Sequence, residues 1–288
     1  MAANTRDIRR RIKSVKNTAQ ITKAMQMVAA SKMRKAQQLA IDGRPYAQLL
    51  NRISSALSEV TFDEKHPLLE HRPVKKELVI IVSTDKGLCG ALNTNLLREA
   101  AKFDPAKTLF ITAGKKAAQW AARSKREMIA DFHLKDTPSF LETKAISRMA
   151  IEKFLDGTVD KVTLLMTRFV NTLTQVPFAF ELLPVSPLPA NQETVDKIHE
   201  QGPMDVTFEP NAPAVLDALL PYYAHFAVYR AVVEARAAEH SARMVAMKNA
   251  TDNAKQLIKD LTLEYNKVRQ AAITTELLEI TTAQMALG

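Results

Sequence analysis

No glycine or proline occurs before Gly43, and none lies between Tyr222 and Leu287. Both residues interrupt helices, glycine through backbone entropy and proline through a lost donor and a ring clash. Breaker-free stretches this long, rich in Ala, Met, Leu, Lys, Glu and Gln, exceed the few turns of an ordinary globular helix. At about 1.5 Å per residue, the C-terminal stretch alone would span roughly 100 Å. A helix of that length cannot be buried in a small domain. It must pack against another long helix or protrude.

The hydrophobic period predicts the first arrangement. Ala250, Ala254, Leu257, Leu261, Tyr265, Val268 and Ala272 follow one another in steps of four and three, close to the seam of a coiled coil. At the other end of the chain Ile8, Ile12, Val15, Ala19, Met25, Val28 and Ala29 form a looser stripe, whose small residues would let a partner helix approach closely. Asn211 ahead of Pro213 reads as an N-cap followed by an early proline, and Pro221 as a kink or a first-turn residue. Residues 1–60 and 211–288 therefore read as two helices paired antiparallel.

Between them, residues 74–200 carry a different pattern. Glu77–Ser83, Thr108–Ala113, Glu127–Phe132 and Lys161–Phe169 have strand character, and Leu92–Phe103, Lys115–Lys125 and Ser139–Leu155 have helical patterns. Strand–helix alternation of this kind implies a parallel sheet. Val176–Val185 follows after too few residues for a crossover helix, so antiparallel pairing at one side is expected. Pro184–Pro213, with six of the 13 prolines, reads as a loop or linker. The fold class is α/β plus a long antiparallel coiled coil: the N- and C-terminal helices pair as a shaft, with a Rossmann-like parallel-sheet domain inserted between them.

The charge is as uneven as the helix breakers. The first 60 residues hold 12 basic residues and three acids, which equals the +9 excess of the whole chain. Four readings of this cationic helix stay open. It is a solvated face, a phosphate-binding face for nucleic acid, a membrane-surface helix or a contact for an acidic protein. The first aromatic residue is Tyr46, so the basic cluster has neither stacking groups for bases nor Trp or Phe for a bilayer interface. That favours the acidic protein. At the far end Ile273–Gly288 holds two acids and no base, and its apolar residues on a free tip are explained if a partner encloses them.

Signals of chemistry are missing. Ser83–Ala91 (STDKGLCGA) lies between a strand and a helix, where α/β folds often bind phosphate, but it matches neither glycine-rich phosphate motif. A tight structural turn is expected, with Cys89 packed as a small hydrophobe. The six histidines show no short metal-ligand spacing, and a single Cys excludes an internal disulfide. No apolar run approaches the roughly 20 residues that cross a bilayer, and the N-terminal segment does not read as a secretory signal. The expectation is an intracellular chain with no catalytic residue, cofactor or metal of its own.

Four segments carry a resemblance. Asn17–Lys35 (NTAQITKAMQMVAASKMRK), Ser83–Asn95 (STDKGLCGALNTN), Ala242–Asn253 (ARMVAMKNATDN) and Tyr265–Glu279 (YNKVRQAAITTELLE) together resemble the gamma subunit family of bacterial F-type ATP synthases. The match covers both ends and the middle in the family's order. It implies a central-stalk rotor in which the terminal helices turn inside a hexamer of alpha and beta subunits. The α/β domain would join the epsilon subunit on the membrane ring of c subunits, and proton flow through that ring would drive ATP synthesis on beta. The implied location is peripheral, on the cytoplasmic side of the bacterial cell membrane, with membrane association only through the complex.

By position, the resemblance assigns beta-subunit contacts to Met25, Arg243, Arg269, Gln270 and Glu279, and a c-ring contact to Glu209. Val206 stands where some relatives carry an aromatic residue, and the Cys-bearing insert of chloroplast relatives is missing. The other function class, a basic coiled-coil protein that binds nucleic acid, parts from this one by what co-purifies with the chain.

Overall fold

The computed structural model describes residues 5–43, 45–46, 49–50, 66–185, 209 and 211–287. It divides into two units, one of Met1–Ala30 with Arg243–Gly288, the other of Ser31–Ala242. Two long helices, α1 (Thr5–Asp42) and α5 (Ala212–Leu287), contribute residues to both.

In the first unit the inward positions repeat in heptads. Ile8, Ile12, Val15, Ala19, Thr22 and Ala29 on α1 are buried or half-buried, as are Met247, Thr251, Ala254, Ile258, Leu261, Tyr265 and Val268 on α5. The Thr22 and Thr251 hydroxyls meet at 2.8 Å. That pair and the unit's limits at residues 30 and 243 fall on one antiparallel register. The expected seam needs a correction at several positions. Leu257 is 47% exposed and Val28 56% exposed, while Ile258, Thr22 and Thr251 point inward. Leu257 and Ile258 are adjacent and equally apolar, so residue type cannot choose between them, whereas the four-three alternation through Ala254, Leu261, Tyr265 and Val268 takes Ile258. Ala272 is exposed because, on this register, α5 continues past the start of α1.

The second unit holds a five-stranded sheet in the order β3-β2-β1-β4-β5. Its strands are β1 (Glu77–Val82), β2 (Thr108–Ala113), β3 (Met128–Phe132), β4 (Lys161–Phe169) and β5 (Gln175–Leu183). All neighbours run parallel except β5, which returns antiparallel on β4. Alternation divides β1 between two cores, as a buried strand requires. Leu78, Ile80 and Val82 join Ile146 and Phe154 of α4 (Phe140–Leu155) and Leu220, Val228 and Val232 of α5. Val79 and Ile81 face Leu96 of α2 (Leu92–Ala100) and Ala117 of α3 (Lys115–Arg123).

Local signals set the helix starts. Asn211 Oδ1 accepts from the Ala214 amide at 2.9 Å, and Ser139 with Glu142 closes a capping box at α4. Pro221 lies inside α5 without ending it. Most of the expected Pro184–Pro213 loop, and residues 51–60 of the expected N-terminal helix, lie outside the described residues.

Candidate functional site

The assigned contact residues do not form one patch. Met25 is half-buried on α1, and on the register of the Thr22–Thr251 pair it lies across from the stretch of α5 just after half-buried Arg243. Arg269, Gln270 and Glu279 are exposed, and begin about 39 Å further along the same helix. At 100° per residue Gln270 and Glu279 project from opposite faces. The Arg269 guanidinium lies 6.0 Å from the Tyr265 ring, one turn back, which holds it along the helix. Glu209 is exposed, and its neighbours Phe208 and Pro210 lie outside the described residues.

Beyond Val268 every described α5 side chain is exposed. Ile273, Leu277, Leu278, Ile280 and Met285 range from 48% to 85% exposed on a single helix. Each such side chain, once enclosed, contributes a part of the roughly 1.5–3 kcal/mol of a full burial, in proportion to the surface it still exposes. This is a surface suited to a surrounding partner. The basic side chains of α1, among them Arg34 and Lys35, are exposed as well.

The turn after β1 is held by its own residues and by the helices beside it. The Thr84 hydroxyl donates to Lys86 O at 2.7 Å, and Asn93 Nδ2 donates to Thr84 Oγ1 at 2.8 Å. Asp85 accepts the Lys115 amide at 3.0 Å. Leu88 and Gly90 take positive φ. Cys89 is buried with Leu92, Ala238 and Ala242. The turn sits at the boundary of β1 and β4, where doubly wound sheets reverse strand order and hold ligands. Here α5 fills that crevice. Arg236, 5% exposed, donates to Glu239 Oε2 at 2.8 Å, to Leu134 O at 3.0 Å and to Asp85 Oδ2 at 3.3 Å. What is left between Ser83, Thr167 and Arg236 is a cavity of about 10 Å³, room for one water at most.

This buried cluster was not singled out from sequence. Its signal was present: Arg236 and Glu239 interrupt a run of small apolar residues with a charge pair three positions apart. Among the described residues no group of three or more His, Cys, Asp or Glu is placed to hold a metal ion. No helix among them is long and apolar enough to cross a membrane.

Comparison with known proteins agrees with the geometry. Residues 4–287 match the family described as ATP synthase. A protein of Methylacidiphilum infernorum called ATP synthase gamma chain is 49% identical, the match covering 99% of this chain and 100% of the relative. Its counterpart in Opitutus terrae is 48% identical, with 99% of each chain covered. Among solved structures, a chain of the central stalk and c-ring of the Tetrahymena thermophila mitochondrial ATP synthase aligns with TM-score 0.62 at 25% identity. That alignment covers 80% of this chain and 99% of the other. A chain of the Euglena gracilis mitochondrial ATP synthase aligns with TM-score 0.68 over 98% of this chain and 94% of its own. At 22% identity it bears on the fold alone.

Proposed function

Because this chain belongs to the gamma-chain family of ATP synthases, we propose that it is the central-stalk rotor subunit of a bacterial F-type enzyme. In this role it carries rotation of a proton-driven c-ring to the catalytic beta subunits and performs no chemistry itself. The observation that supports this most is the first unit: a heptad-packed antiparallel pair from which one helix runs on alone, with exposed apolar side chains along one side. A paired section resists twisting, and a single apolar helix suits a bearing formed by alpha and beta subunits.

The asymmetry has a mechanical use. A lone helix has no rotational symmetry, so as it turns it presents a different face to each of three surrounding catalytic subunits in succession. Arg269, Gln270 and Glu279 are the exposed polar groups assigned to beta along that section, and half-buried Met25 and Arg243 are the residues assigned to it at the other end of the paired section. The cationic outer face of α1 suits acidic beta segments. The α/β domain, with Glu209 toward the c-ring and the epsilon subunit beside it, forms the foot. Attachment is then peripheral, on the cytoplasmic side of the bacterial membrane.

Co-expression with the alpha and beta subunits of the same source tests this. The expected result is a stable complex that hydrolyses ATP, with no hydrolysis by the chain alone. Recovery of the chain without alpha and beta, bound instead to nucleic acid that salt removes, would overturn it.

A further inference from the structure

Arg236 lies on the part of α5 that packs in the α/β unit, and its guanidinium reaches three backbone segments at once. One amino group holds Glu239 on its own helix at 2.8 Å. The other holds the turn after β1 through Asp85 at 3.3 Å and the loop after β3 through Leu134 O at 3.0 Å. Asp85 passes the restraint on, because the same carboxylate accepts the Lys115 amide at the start of α3. Two residues beyond Leu134, Asp136 is held from the other long helix by an ion pair with Lys32 of α1. That ion pair keeps the Asp136 carboxyl below the usual carboxylate range, burial only partly opposing it. Lys32, Asp136 and Arg236 line one cavity of about 140 Å³. The short segment after β3 is thus gripped by both long helices while its strand belongs to the sheet.

A buried Arg with buried or half-buried acids adds little net stability, since apolar residues of the same volume would serve as well or better. What the fork does provide is direction. Hydrophobic burial is non-directional, whereas guanidinium hydrogen bonds hold at one angle and distance. The geometry points to Arg236 as a positioning residue that keys the α/β domain to α5, so that the domain cannot turn about that helix when torque is applied. This rests on the rotor reading, and it assigns to one side chain the joint through which that torque passes.

The test uses the assembled enzyme in membrane vesicles and reads the ratio of gradient-driven ATP synthesis to ATP hydrolysis. Arg236→Met combined with Glu239→Leu removes both buried charges together, so neither is left unpaired. Arg236→Lys keeps the charge and loses the fork. At wild-type assembly, each is expected to lower the ratio, the double variant by about fivefold or more, while hydrolysis persists. A wild-type ratio in the assembled double variant overturns the key, and so does a parallel fall of synthesis and hydrolysis. If the double variant does not assemble, Arg236→Lys decides alone: a lowered ratio supports the key and a wild-type ratio overturns it. Failure of the rotor reading is separate, because then the unmodified chain does not join alpha and beta.

Discussion

Replacing Thr22 with Val breaks a buried hydrogen bond, yet the structure predicts almost no loss of stability. The Thr22 and Thr251 hydroxyls are 2.8 Å apart. Each also lies within reach of a carbonyl of its own helix, Thr251 to Met247 O at 2.8 Å and Thr22 to Ala19 O at 3.1 Å. Two hydroxyl protons cannot make three bonds, so one contact is unmade at any moment. When Thr22 becomes Val, Thr251 keeps its bond to Met247 O and no buried donor is orphaned. The lost bond is worth about 1 kcal/mol net, and the methyl that replaces the hydroxyl returns roughly 0.8 kcal/mol in a dry seam. The two nearly cancel. Helical circular dichroism followed against temperature should show a midpoint within a few degrees of wild type, since about 1 kcal/mol moves a chain of this size by that much. A midpoint more than about 10 °C lower would refute the reasoning and show that the pair carries energy beyond this count. What the pair contributes instead is register. A polar contact inside an apolar seam disfavours slipped pairings that bury one hydroxyl against methyl groups. Valine at both positions should therefore keep the midpoint while allowing engineered cysteine pairs to cross-link out of register.

Gly114 has φ 114°, and a Cβ there would lie 2.4 Å from the Ser83 carbonyl oxygen. Gly114→Ala should destabilise the α/β unit by at least about 2–3 kcal/mol, measured by denaturant unfolding; a change below about 0.5 kcal/mol would contradict this geometry. Burial holds the His225 imidazole below its ordinary value, with Lys144 adding to the effect, and its ring nitrogen is 2.7 Å from Ser147 Oγ. The folded state then binds fewer protons than the unfolded chain, so stability is full above about pH 6.5 and is lost as pH falls from there toward the lowered folded value. His225→Asn should flatten this part of a melting-temperature profile, and an unchanged slope would assign it elsewhere. Arg269→Ala with Gln270→Ala should leave assembly intact, since both side chains are exposed and alanine favours helix, but should reduce ATP turnover roughly tenfold; equal turnover in the assembled variant would remove these residues from the beta contact.

The strands and their order of appearance could be read from the sequence because β-branched runs and short connections are local signals. Lys161–Phe169 and Thr108–Ala113 match the folded strands residue for residue. The early part of α5 was legible as helix but not as core. Its residues are apolar nearly all round, and only the sheet beside them explains why. In the coiled coil, residue type does not separate Leu257 from Ile258, and only the strict heptad step from Ala254 to Leu261 takes Ile258. The polar pair that settles the frame, Thr22 with Thr251, joins residues 229 positions apart. Arg236 escaped for the same reason, since its ion-pair partner Asp85 lies 151 positions earlier in the chain. The contact residues assigned by resemblance were recoverable only as positions. That the five assigned to beta divide between the two ends of the first unit and turn to different faces required the helix register.

The bare end of α5 also bears on how a cell must make this protein. Five large apolar side chains in succession along one exposed helix do not harm the molecule once neighbours surround it, but they remain adhesive for as long as it has none. Every copy synthesised beyond the supply of those neighbours is a surplus that associates with itself or with bystanders. Production must therefore be proportioned among the subunits, either by matched translation or by prompt proteolysis of the excess. The same helix end that suits a close-fitting housing makes an unhoused copy a substrate for quality control.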